Sequence, residues 1–107
     1  YEKELAYQQE IDRIANALAL GRIAEMSVQG GNLIILFPDS GNAPRRAELE
    51  LMRPSDRRAD SRFTMEPSDQ RNWQLDISNM MKGHYKARLF WTRSDTEYVH
   101  LQEIYLP

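Results

Sequence analysis

The sequence predicts a mainly β chain: an immunoglobulin-like antiparallel β-sandwich of about seven strands preceded by one N-terminal α-helix. Three observations carry that expectation. Residues 2–20 contain no Gly or Pro and repeat apolar side chains at helical spacing. After Gly21 the period changes to two, and turn-forming clusters recur every 8–15 residues. The chain has 107 residues, 41% hydrophobic and 28% charged, which suits a single domain spanning 1–107, divided into a helix over 1–21 and a sandwich over 22–107.

The helix comes first. Tyr7, Ile11, Ile14 and Leu18 follow one another at spacings of four, three and four, and Ala15 widens the stripe. Glu2, Glu4, Glu10 and Asp12 lie in the first half, where the helix dipole favours acids, and Gly21 stands where a glycine stops a helix. The turn signals that follow are Gly30-Gly31-Asn32, the stretch Pro38 to Asn42, Arg53-Pro54-Ser55-Asp56, Pro67-Ser68-Asp69, Lys82-Gly83 and Ser94-Asp95. They separate strands expected over 23–29, 32–37, 45–53, 61–66, 71–78, 84–93 and 97–106. Alternation is clearest in Ala47/Leu49/Leu51, Trp73/Leu75/Ile77 and Tyr85/Ala87/Leu89/Trp91, each with one buried and one wet face. Gly83-His84-Tyr85 falls where such sandwiches place a tyrosine corner, the phenol bonding back to upstream backbone.

Composition removes whole classes of function. Lys plus Arg number 14 against 16 Asp plus Glu, a net charge of −2, which argues against a chain built to neutralise nucleic-acid phosphates. With no cysteine there are no disulfides, no thiolate metal sites and no thiol nucleophile. The longest apolar run, Leu33 to Phe37, has five residues, far short of the roughly 20 a bilayer-spanning helix needs. No serine sits in a G-x-S-x-G elbow and no glycine loop opens a helix to cradle phosphate, so the reading is not an enzyme, with no catalytic and no cofactor-binding residue. Glu48 and Glu50 share a strand face among arginines and read as a solvated charged face rather than an acid–base pair.

Two features invite a copper reading, since thioether and imidazole ligands suit Cu(I). His84 and His100 are the histidines, and a hairpin at Ser94-Asp95-Thr96 sets His84 opposite about residue 106 and His100 opposite about residue 90. That separates them by roughly 20 Å at about 3.3 Å per residue, too far to share a metal. Met80, Met81 and His84 remain the local candidates, although neighbouring side chains in extended chain point to opposite sides. Loop or core-lining methionines are the plainer account.

Two surfaces stand out for partner binding. Arg45, Arg46, Arg53, Arg57, Arg58 and Arg62 bring six of the fourteen basic residues into 18 positions, offset by Glu48, Glu50, Asp56 and Asp60. The edge reads as a solvated connection between sheets, or as a docking surface for an acidic partner or anionic headgroups, with Arg53, Arg57 and Arg58 as the residues concerned. The stripe Tyr7, Ile11, Ile14 and Leu18 either caps its own sandwich or packs on the helix of a partner.

The opening run from Tyr1 to Arg13, YEKELAYQQEIDR, resembles the segment that directly follows the membrane helix in FixH (also called CcoH) proteins. The resemblance continues through Leu51-Met52-Arg53-Pro54 with Asp60 a few residues on, then Gly83-His84-Tyr85, and closes at Leu106-Pro107. Glu4 departs from it, standing where many members have Gly. The resemblance implies a bacterial inner-membrane protein with one N-terminal transmembrane anchor, removed here, and a soluble domain in the periplasm. The start at Tyr1, without an initiator Met, agrees with that expectation. It further implies a part in assembling a cbb-type haem–copper cytochrome c oxidase, with oxidase subunits and a copper-transporting P-type ATPase as partners, and no nucleic acid. A periplasmic copper carrier or a generic binding module are the alternative functions.

Overall fold

The structure is a computed structural model and describes residues 2–21, 23–38, 44–56, 58, 60–65 and 72–107. Helix α1 (Glu2–Leu18) is followed by β1 (Glu25–Gln29), β2 (Asn32–Leu36), β3 (Arg46–Met52), β4 (Ser61–Met65), β5 (Asn72–Asp76), β6 (Gly83–Arg93) and β7 (Thr96–Leu106). Each of the seven expected strands is present, its ends within two residues of expectation. All pairings are antiparallel. One sheet has the order β1-β2-β5 and the other β4-β3-β6-β7. The connections β2 to β3, β4 to β5 and β5 to β6 therefore cross between sheets, as they do in immunoglobulin-like sandwiches.

The inner faces are set by alternation. Ala47, Leu49 and Leu51 of β3 register with Trp91, Leu89 and Ala87 of β6, and all six are buried. Leu33 and Ile35 of β2 close the core from the other sheet. At its centre the fully buried Trp91 stacks on Tyr98 at 5.3 Å and meets Phe37 edge-on at 5.8 Å. The β1–β2 hairpin turns at Gly30-Gly31, whose φ angles of 54° and 82° both lie in the left-handed region that a two-residue hairpin of this kind demands.

The tyrosine corner is present. Tyr85, wholly buried near the start of β6, donates its phenol proton to the carbonyl of Met81 at 2.7 Å. The hairpin register also agrees with expectation to within one residue: His84 pairs with Tyr105 and His100 with Leu89. Since paired residues share a face, His100 lies on the inner side of the sheet beside Leu89 and His84 on the outer side.

Helix α1 lies on the outer face of the four-stranded sheet, across β6 and β7, and corrects one expectation. It does cover its own sandwich, but not with the apolar stripe. Of its residues only Ala17 is buried, while Tyr7, Ile11 and Leu18 remain exposed and Ile14 sits half-buried at the margin. At about 100° per residue, Glu10, Arg13 and Ala17 lie roughly a quarter turn round the helix from the stripe, and these are the residues turned to the sheet. The reason is the sheet surface beneath. Beside Phe90 and Val99 it presents Arg88 and Glu97, which take charged partners rather than aliphatic ones.

Candidate partner-binding surface

Glu2 to Gln9 are exposed along their whole length, and contact with the sheet begins at Glu10. Tyr7 is 69% exposed, Leu18 67% and Ile11 39%, so three of the four expected stripe residues offer their apolar surface outward. Ile23 past the helix end and Leu101 on β7 add exposed apolar surface. Between the helix and β7 a hollow of about 180 Å³ is lined by Ile14, Ala17, Leu18, Ile23, Ala24 and Leu101, among others. Scattered apolar residues on a surface are ordinary; a contiguous apolar face on one helix is the mark of a surface that meets another molecule.

What holds this face in place is electrostatic. Arg88 donates from Nε and Nη2 to the two carboxylate oxygens of Glu10, both at 2.7 Å, in the forked geometry only arginine supplies. Neither side chain is fully wet, at 20% and 29% exposure. The Arg88 guanidinium beside Glu10 holds that carboxyl below its ordinary value, and the carboxylate in turn raises Arg88. Arg13 reaches Glu97 from Nε at 2.9 Å, and its guanidinium carbon stands 5.8 Å from the ring centroid of Phe90. Asn16 adds a bond from Nδ2 to the Glu97 carbonyl at 3.0 Å.

The arginine edge divides into two places rather than forming one patch. Arg46 and Arg62 lie on the outer face of β3 and β4, each neutralised by a carboxylate: Arg46 with Glu48 at 2.7 Å and Arg62 with Glu50 at 3.1 Å. Glu48 and Glu50 are thus paired with arginine, as their surroundings in sequence indicate. Arg58 folds back on Asp56, which accepts from its backbone N–H as well as its side chain and whose carboxyl is thereby lowered. Arg57 lies outside the described residues.

Arg53 is different. Its backbone N–H donates to Asp60 Oδ1 at 2.9 Å, which explains why the Arg-Pro stretch is followed by an aspartate. Its guanidinium reaches Met81 Sδ at 3.4 Å and lies across Gly83, where a Cβ would stand 3.0 Å from Nη2. Gly83 has φ 128°, a backbone conformation that calls for glycine. The two later segments of sequence resemblance therefore meet at one end of the sandwich: Arg53 and Asp60 from one side, Met81, Gly83 and Tyr85 from the other.

The three copper candidates have separate surroundings. Met80 packs against the hydrophobic core, the Met81 sulfur faces Arg53, and His84 on the outer face stands 3.5 Å from Glu103. Among the described residues no group of three or more His, Cys, Asp or Glu is placed to hold a metal ion. His100 bonds Gln102, which donates to the Met26 carbonyl and links β7 to β1 across the sheets.

Sequence reasoning missed Glu10, Arg13, Arg88 and Glu97. The Glu10/Arg13 spacing of three was a visible signal, but their partners become apparent only once the sheet is paired. Among the described residues no helix is long and apolar enough to cross a membrane.

The model of the FixH family matches residues 1–105. No curated protein and no solved structure matches the chain.

Proposed function

The chain belongs to the FixH family, and from that premise we propose that it is a membrane-anchored accessory protein whose periplasmic sandwich assists assembly or copper loading of a cbb-type haem–copper cytochrome c oxidase. Membership of the family fits an accessory role. The action is protein–protein contact and no chemical step is assigned to any side chain. Oxidase subunits and a copper-transporting P-type ATPase are the partners.

The observation that carries this reading is the outward apolar face of α1. A helix that uses an ionic side to hold its own domain, and leaves Tyr7, Ile11 and Leu18 in water, keeps an apolar stripe available to another helix. The eight exposed residues Glu2 to Gln9 extend that stripe toward the end from which an anchor would enter, so the face would lie beside the membrane with its partners. The arginines contribute less, because Arg46, Arg58 and Arg62 already pair with carboxylates of the same chain.

The test is complementation. In a host strain lacking the protein, the full-length wild type is expected to restore assembled oxidase in membranes, and a Tyr7→Ala/Ile11→Ala/Leu18→Ala variant that folds normally is expected not to. Full restoration by that variant would remove the helix from the mechanism.

A further inference from the structure

The ion pairs beneath the helix form one continuous chain across the outer face of the four-stranded sheet. Arg62 of β4 meets Glu50 of β3 at 3.1 Å, and Glu50 stands 3.6 Å from Arg88 of β6. Arg88 forks onto Glu10 of α1 at 2.7 Å, Glu10 stands 3.6 Å from Arg13, and Arg13 closes on Glu97 of β7 at 2.9 Å. Three arginines and three glutamates alternate in sign, and the chain ties together the helix and all four strands of the sheet. Apolar packing accompanies it: Ala17 of the helix and Phe90 and Val99 of the sheet are buried, and Ile14 is half-buried.

An amphipathic helix beside apolar sheet residues ordinarily turns its apolar stripe inward. On this face Phe90 and Val99 are already buried and Leu101 is exposed, while Leu18 and the half-buried Ile14 line the hollow beside Val99 and Leu101. A roll of roughly a quarter turn about the helix axis would turn the exposed Ile11 and Leu18 toward the sheet in place of Glu10, Arg13 and Ala17. That rotation would tear Glu10 from Arg88 and Arg13 from Glu97. Burial of the stripe and retention of the ion chain are therefore alternatives.

We propose that Glu10 and Arg88 are positioning residues: their forked pair fixes the rotation of α1 about its axis and thereby keeps the Ile11/Leu18 face outward, in competition with the helix's own tendency to bury it. The partner surface is then a consequence of the lock. This deepens the proposed function and rests on it for the meaning of the outward face, whereas the rotation itself is a property of the isolated chain. Arg88→Lys keeps the charge but gives up the fork, so it weakens the lock without leaving Glu10 and Glu50 facing a neutral group.

The experiment is hydroxyl-radical footprinting of the full 107-residue chain, read by mass spectrometry at single residues. Wild type is expected to label Ile11 and Leu18 strongly. In Arg88→Met, and to a smaller degree in Arg88→Lys and Glu10→Gln, labelling at both residues is expected to fall severalfold while the near-ultraviolet aromatic signal of the core stays unchanged. A merely structural role would move the near-ultraviolet aromatic signal of the core, not the labelling pattern along the helix. Unchanged labelling in Arg88→Lys and Glu10→Gln, with the core intact, overturns the proposal. Should Arg88→Met fail to fold, these two milder variants decide it. No partner enters this measurement, so its failure is distinct from failure of the complementation test above.

Discussion

Replacing Tyr85 by Phe removes one oxygen atom from a side chain that is otherwise wholly buried, and so isolates the tyrosine corner from the packing of the ring. The bond lost is the phenol to the Met81 carbonyl at 2.7 Å. A neutral hydrogen bond of this kind contributes about 0.5–1.5 kcal/mol net, and an acceptor left without a partner costs about 1–3 kcal/mol when it is sealed from water. The bond is part-buried, so the penalty falls toward the lower part of that range. The expected loss is about 1–2 kcal/mol, which for a domain near 100 residues lowers Tm by roughly 5–12 °C. Thermal melts and urea titrations of both proteins supply the measurement, with the urea m-value expected to stay constant. Tyr105→Phe is the control: Tyr105 is exposed on β7 and its substitution is expected to leave Tm in place. A Tyr85→Phe variant as stable as wild type would refute the corner as a contributor to stability.

Other expectations follow from the same structure. Gly83→Ala forces a side chain onto φ 128° and is expected to cost about 1–3 kcal/mol by urea titration; because the steric neighbour is only the flexible end of Arg53, adding Arg53→Ala restores little of it. Leu49→Ala, at a fully buried position in β3, is expected to cost about 2–5 kcal/mol in the same assay. Acid titration should reveal Glu10. Arg88 holds its folded carboxyl below the ordinary 4.5, so the stability it contributes is present above that value and is lost as pH falls through the lower folded value. Subtracting the pH profile of Glu10→Gln from that of wild type is expected to give a difference that shrinks below about pH 4.5 and is flat above it. Substituting Met80, Met81 and His84 together is expected to leave Cu(I) uptake, measured by competition with a chromogenic chelator, no weaker than in wild type, because the three side chains face the core, Arg53 and Glu103 respectively.

Much of the architecture was legible because local rules and the final fold agree. Strict alternation in Ala47/Leu49/Leu51 and Tyr85/Ala87/Leu89/Trp91 predicted two strands that pair through those very residues. The short turn at Ser94-Asp95 fixed the β6–β7 register to within one residue, and Tyr85 after Gly83 marked the corner. The helix was visible as a helix, yet its rotation was not. Its stripe reads as the docking face by the ordinary logic of amphipathicity, and that logic fails where the surface opposite carries Arg88 and Glu97. Those two become a site only through strand pairing, which brings Glu50 beside Arg88 and Glu97 beneath Arg13. The arginine edge fails for a related reason. Nearness in sequence put Arg46, Arg53, Arg58 and Arg62 together, whereas the β3–β4 hairpin sends two to the outer sheet face and two to the end of the sandwich.

In the proposed function the outward face of α1 is where partners bind. Affinity purification of the full-length protein from its own host, with mass spectrometry of everything retained, tests that most directly when wild type and the Tyr7→Ala/Ile11→Ala/Leu18→Ala variant are compared at equal expression. The prediction is that wild type retains oxidase subunits or the copper-transporting ATPase and that the variant loses them. Retention of neither by wild type with the oxidase present, or equal retention by both proteins, would contradict it.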